Sequence, residues 1–122
     1  MVSQGDTFLG GSEVHGTDHL WIVINEPHVR NGVALIVNIS KLRPGAETTC
    51  VLQKGEHPFL TEAQGSYVRY RSARQAKAAD LAKLIKTGIL KVHQPASPTL
   101  VAKLRAGAQA STFLAANLKA LL

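Results

Sequence analysis

Two apolar runs, DHLWIVI at residues 18–24 and GVALIVNIS at residues 32–40, constrain this chain more than any other feature. Both are rich in β-branched residues and bounded by turn signals, the pattern of strands in a packed sheet. Residues 25–31 between them carry Pro27, and Asn31-Gly32 is a strong turn signal. A two-strand antiparallel unit with a loop of about seven residues follows.

Further strands are expected downstream. SYVRYR at residues 66–71 alternates cleanly, with Tyr67, Arg69 and Arg71 on one side and Val68 and Tyr70 on the other. TTCVL at 48–52 and ILKVH at 89–93 are shorter candidates, and Pro44-Gly45 breaks the chain before the first of them. Residues 72–87 then place Ala78, Leu81, Ala82, Leu84 and Ile85 on one helical face, and Gly88 supplies a stop. Ser97-Pro98 reads as an N-cap followed by proline at the first helical position, with Leu100, Val101 and Leu104 behind it. Gly107 is expected to weaken or end that helix, and Ser111 to cap a terminal one bearing Leu114, Ala115, Leu118, Leu121 and Leu122. Strands first and helices after imply an α+β chain. The expected architecture is a small twisted antiparallel sheet or half-open barrel with C-terminal helices. One domain spans residues 1–122, strand-rich over 1–71 and mostly helical over 72–122.

Charge is divided unevenly along this order. Residues 1–66 hold four Lys/Arg against seven Asp/Glu, whereas residues 67–122 hold ten Lys/Arg against one acid, Asp80. Such a surplus is either the solvated faces of two helices or a footprint for phosphate or an acidic partner. Aromatics are only 5% of residues, which limits stacking on single-stranded bases. A lone cysteine, Cys50, excludes an intrachain disulfide, fits a reducing compartment, and sits in an apolar strand as a packing residue. No apolar run approaches the ~20 residues that span a bilayer, and residues 1–8 do not resemble a leader. No membrane association and a cytoplasmic location are therefore expected.

Phosphate-loop, HExxH, GxSxG and CxxC signatures are absent from the sequence, and five dispersed histidines with one cysteine do not make a zinc cluster. Neither a metal nor a cofactor is expected. Three constellations remain. Asp18-His19 opens the first long strand after a glycine-bearing loop at residues 10–16, where His19 is either a general acid–base or a local strand cap. In Gly55-Glu56-His57-Pro58-Phe59, His57 is held extended before Pro58, as an exposed functional turn or as a structural turn that drops Phe59 into the core. Arg69 and Arg71, two apart on one strand face, suit one phosphate or successive phosphates. Arg74 and Lys77 extend that basic set.

With Gly5-Asp6 near the start, HLWIVI, VALIVNIS ending at Ser40, SYVRYR and then helices, the order of elements resembles the MazF/PemK-like family of toxins from toxin–antitoxin pairs. Where that family has Arg-Pro at the first long strand this chain has Asp18-His19, Ser40 replaces its threonine, and Arg71 stands where some members carry an acid. The resemblance implies an SH3-like β-barrel with appended helices, a homodimer, and metal-independent cleavage of single-stranded RNA by attack of the 2′-hydroxyl on the adjacent phosphate. It also implies roles: His19 and His57 as base and acid, Arg69 as the positive charge, Ser40 as a hydrogen-bond donor. An acidic antitoxin would lie over the same surface. A non-catalytic barrel that binds nucleic acid or an acidic protein is the alternative.

Overall fold

The computed structural model describes residues 1–11 and 18–122. One curled sheet is built from β1 (Thr7–Gly11), β2 (Asp18–Val23), β3 (Val33–Lys41), β4 (Val51–Leu52), β5 (Ser66–Lys77) and β6 (Lys91–His93). Its order is β4-β5-β3-β2-β1-β6, with every pairing antiparallel. Helices α1 (Ala78–Lys86), α2 (Pro98–Ala110) and α3 (Ala116–Lys119) complete an α+β half-barrel.

The β2–β3 turn forms where the Asn-Gly signal lies. Asn31 and Gly32 take positive φ of 54° and 77°. Asn25, fully buried, anchors the other side: its Nδ2 donates to the Val33 carbonyl at 3.0 Å, and its Oδ1 accepts from the Leu35 amide at 2.7 Å. The side chain thus satisfies backbone groups of β3 that have no neighbour at the turn.

Strand β3 is the centre of the molecule, and its near-continuous apolar run reflects burial on both faces. On one face Leu35, Val37 and Ile39 join Leu20, Ile22, Val68 and Tyr70 beneath Leu100, Val101 and Leu104 of α2. On the other, Ala34 and Ile36 meet Phe8, Val23 and Leu81, so α1 covers this side. The alternation then changes character: after Ala34 and Ile36, the next residues on the α1 side are Asn38 and Ser40. The helix covers only the apolar end of that face.

Several expectations are corrected. Residues 72–77 continue β5 instead of starting a helix, because Arg74 and Ala76 pair opposite Ile36 and Ala34. Sheet pairing overrides the helical propensity of SARQAK. The register slips here: a step of two positions along β3, from Ile36 to Asn38, is matched by a step of five along β5, from Arg74 to Arg69. Such a bulge bends the strand and re-aims its side chains. Residues 7–11, not anticipated as a strand, form β1, while residues 12–16 of the expected loop lie outside the described residues. The strand at 48–52 shrinks to Val51–Leu52, and that at 89–93 to Lys91–His93.

Gly107 does not end α2. A Cβ there would collide with Tyr70 Oη and lie 3.0 Å from Cys50 Cβ, so glycine is what lets the helix close onto the sheet. Ser97 caps α2 as expected, its side chain accepting from Leu100 N at 3.1 Å. Ser111 instead organises a turn, its Oγ accepting from the Phe113 and Leu114 amides, and the terminal helix is only four residues long. Among the described residues no helix is long and apolar enough to cross a membrane, and no group of His, Cys, Asp or Glu is arranged to hold a metal.

Candidate functional site

Where α1 stops, the same sheet face becomes polar. Leu20 pairs with Ile39, which sets His19 of β2 beside Ser40 of β3, and Ser40 pairs with Tyr67 of β5. One step along, Trp21, Asn38 and Arg69 form the adjacent cross-strand row. His19, Ser40 and Arg69 line a cavity of about 720 Å³ together with Lys41, Arg43 and Glu62. Strand pairing therefore brings three of the residues singled out from sequence to one place, although they are far apart in the chain.

Two polar atoms on this face are conspicuous. Ser40 Oγ and Asn38 Oδ1 are buried with no hydrogen-bond partner among the described residues. Leaving a buried polar group unsatisfied costs about 1–3 kcal/mol. A buried polar atom left in this way calls for an explanation, a catalytic role or a bound water or ion among them. Arg69 is half-buried, and its guanidinium makes no hydrogen bond or ion pair among the described residues. Lys41 pairs with Glu62 at 3.8 Å, but both side chains are well exposed, so that pair adds little stability. Among the described residues, three cations against one carboxylate make the lining net positive.

The remaining predicted cations go elsewhere. Arg71 does not share the Arg69 cavity: past the register slip its guanidinium lies 4.4 Å from the Phe113 ring centroid. Arg74, next to Arg69 on the α1 face, sits 5.6 Å from the Trp21 ring centroid. Lys77 closes β5 opposite Val33, out of phase with Arg74 and Ala76, and so belongs to the other face. Of the cations not singled out from sequence, Arg105 donates to the Ile24 carbonyl at 2.6 Å, and Lys103 binds Glu56 at 3.0 Å.

His57 is not in the cavity. It is 2% exposed, its Nδ1 accepts from the Phe59 amide at 3.1 Å, and its Nε2 reaches the Gln94 carbonyl at 2.6 Å. A carbonyl only accepts, so His57 is the neutral Nε2–H tautomer with both ring nitrogens occupied. The Gln94 carbonyl also accepts from Thr7 Oγ1 at 2.6 Å. Gln94 follows β6 and His57 follows β4, the two outer strands, so this imidazole fastens the open rims of the half-barrel to one another. The turn does lie at the surface, with Gly55 and Pro58 exposed, but the His57 expected to act there is buried and held by backbone partners.

Next to that turn, Glu56 accepts from the Gln53 amide and from Lys103. Partial burial would raise its carboxyl, but these donors outweigh it and hold Glu56 below the usual carboxylate range. Burial pushes the Cys50 thiol up, making it a packing residue and not a nucleophile. Burial likewise pushes up the Tyr70 hydroxyl, which donates to the Leu104 carbonyl at 2.7 Å.

Asn38, Lys41, Arg43 and Glu62 were not picked out from sequence. The signal for Asn38 was present, since the every-second-residue series Ala34, Ile36, Asn38, Ser40 turns polar halfway. Glu62 lies in an irregular segment, and no periodicity locates it. No protein-family model matches the chain, and neither a curated protein nor a solved structure is similar to it.

Proposed function

We propose that the chain is a toxin-like, metal-independent endoribonuclease that takes the backbone of single-stranded RNA into the His19–Ser40–Arg69 cavity. The observation that carries this proposal is the meeting, on one concave face, of an imidazole with a guanidinium and a buried hydroxyl that have no partner among the described residues. A phosphodiester suits all three: its oxygens accept from Ser40 and Arg69, and cleavage needs a proton carrier such as His19. Lys41 and Arg43 supply further charge for neighbouring phosphates, and Trp21 with Arg74 is a stacking platform beside them. Ser40 and Arg69 keep the roles that the toxin-family resemblance implies. The same resemblance implies a homodimer and an acidic antitoxin that silences the enzyme by covering this cavity.

A second reading is favoured by His57, whose commitment to the barrel rim removes one of the two histidines expected to carry protons. The half-barrel would then bind RNA or an acidic protein without cutting it. Labelled single-stranded RNA incubated with protein in EDTA separates the two. Cleavage that falls at least tenfold in Arg69→Ala and stops when the scissile nucleotide is 2′-deoxy supports the nuclease. Intact RNA that still binds, with a salt dependence weakened by about one phosphate contact in Arg69→Ala, supports the binding module. Neither binding nor cleavage removes both.

A further inference from the structure

Transesterification of RNA needs two proton carriers, and only one of the two histidines lies in the cavity. Resting on the cleavage reading above, we infer that Glu62 is the second: its carboxylate takes the proton of the attacking 2′-hydroxyl, and His19 donates to the leaving oxygen. Three observations converge on it. Among the described residues, Glu62 is the one acid lining a cavity whose other charged groups there are Lys41, Arg43, Arg69 and, when protonated, His19. A carboxylate facing a polyanion weakens binding, so its placement among cations contributes to proton transfer and not to affinity. The Gly65 amide donates to the Glu62 carbonyl at 3.0 Å, closing a turn that leads directly into β5, and Lys41 stands 3.8 Å from its carboxylate. The backbone turn therefore places the residue at the cavity, with Lys41 beside it.

The division of labour follows from the groups themselves. An ionised carboxylate only accepts, which suits the hydroxyl; an imidazole can carry a proton near neutrality, which suits the departing alkoxide. In the step, the 2′-oxygen forms a bond to phosphorus as its proton passes to Glu62. The bond from phosphorus to the 5′-oxygen breaks as that oxygen takes the proton from His19. Arg69 and Ser40 bear the charge that builds on the non-bridging oxygens. The products are a 2′,3′-cyclic phosphate and a free 5′-hydroxyl, and exchange with solvent resets the site by taking the proton from Glu62 and returning one to His19. Glu62 faces Lys41 and Arg43 from the end of β3 and its following loop, His19 from β2 and Arg69 from β5, so the rate should rise with pH on one limb and fall on another.

The test compares full-length wild type with Glu62→Gln and Glu62→Asp on labelled single-stranded RNA, across pH. A 2′-deoxy oligonucleotide that binds but cannot be cut gives the affinity. Glu62→Gln should lower the rate at least a hundredfold, abolish the rising limb, and leave affinity for the 2′-deoxy strand unchanged or tighter. Glu62→Asp, which keeps the carboxylate, should recover part of the rate and the rising limb. Cleavage by wild type with Glu62→Gln equally active, or slowed with both limbs intact, overturns the assignment and leaves the nuclease standing. Absence of cleavage by wild type overturns both.

Discussion

Replacing Gly107 by alanine tests how the helical layer is seated on the sheet. In an unencumbered helix interior the change would stabilise by up to about 1 kcal/mol, since glycine is the poorer helix former. Here the new methyl collides with Tyr70 Oη and lies 3.0 Å from Cys50 Cβ and 3.1 Å from Tyr70 Cζ. Overpacking of a close-packed core costs about 1–3 kcal/mol. Displacing the Tyr70 hydroxyl also strains its 2.7 Å hydrogen bond to Leu104, where a lost buried bond costs about 1–3 kcal/mol. The unfavourable terms exceed the propensity gain, and a net loss of about 2 kcal/mol is expected. Unfolding entropy near 2.1 cal/mol/K per residue makes each kcal/mol worth roughly 4 °C for this chain, so Tm should fall by about 8 °C in differential scanning calorimetry. Removing the hydroxyl with Tyr70→Phe should soften the effect, the alanine costing at least about 1 kcal/mol less in that background. A Gly107→Ala protein as stable as wild type, or more so, would refute the close approach of α2 to Tyr70.

His57→Ala should lower stability by about 2–4 kcal/mol in urea titrations, because it removes the bridge between the two rims and leaves the Phe59 amide unpaired; a loss below 0.5 kcal/mol would contradict the fastening role. At temperatures where it stays folded, its RNA cleavage should remain within about threefold of wild type, and a collapse of cleavage without loss of Tm would restore His57 to the chemistry. Glu56→Gln should destabilise by less than about 1 kcal/mol at neutral pH, since the Lys103 pair is partly exposed. The folded-state carboxyl is depressed, so the wild-type advantage is present above the unfolded value and lost as pH falls through the folded one; the two proteins should converge in stability below about pH 4. A gap that widens in acid would contradict the sign.

Local signals carried the β2–β3 unit because each is short-range: a β-branched run, a proline, an Asn-Gly pair with the backbone angles it prefers. The start of α2 at Ser97-Pro98 was legible for the same reason. Residues 72–77 were not, because their strand state depends on hydrogen bonds to Val33–Ile36 forty residues away, against their own helical preference. Gly107 looked like a helix terminator for a related reason, since the Tyr70 ring that demands it is contributed by another element. At the site, His19, Ser40 and Arg69 were each visible as residue types, but their meeting comes from antiparallel register. His57 shows the reverse: its chemistry suggested catalysis, and its burial between two backbone groups assigns it to the scaffold. Arg71 went astray because simple alternation was carried into a bulge that no residue in the strand announces, and Lys77 because residues 72–77 were expected to be helical.

The central claim is that the polar end of the α1-covered face receives a phosphodiester strand. Titrating isotope-labelled protein with an uncleavable 2′-O-methyl oligonucleotide, and following backbone amide resonances, addresses it most directly. Saturable shifts should cluster at His19, Ser40, Lys41 and Arg69 and vanish in Arg69→Ala. Shifts confined to the lysines of α1 and α2, or none at all, would mean that this concavity is not where RNA binds.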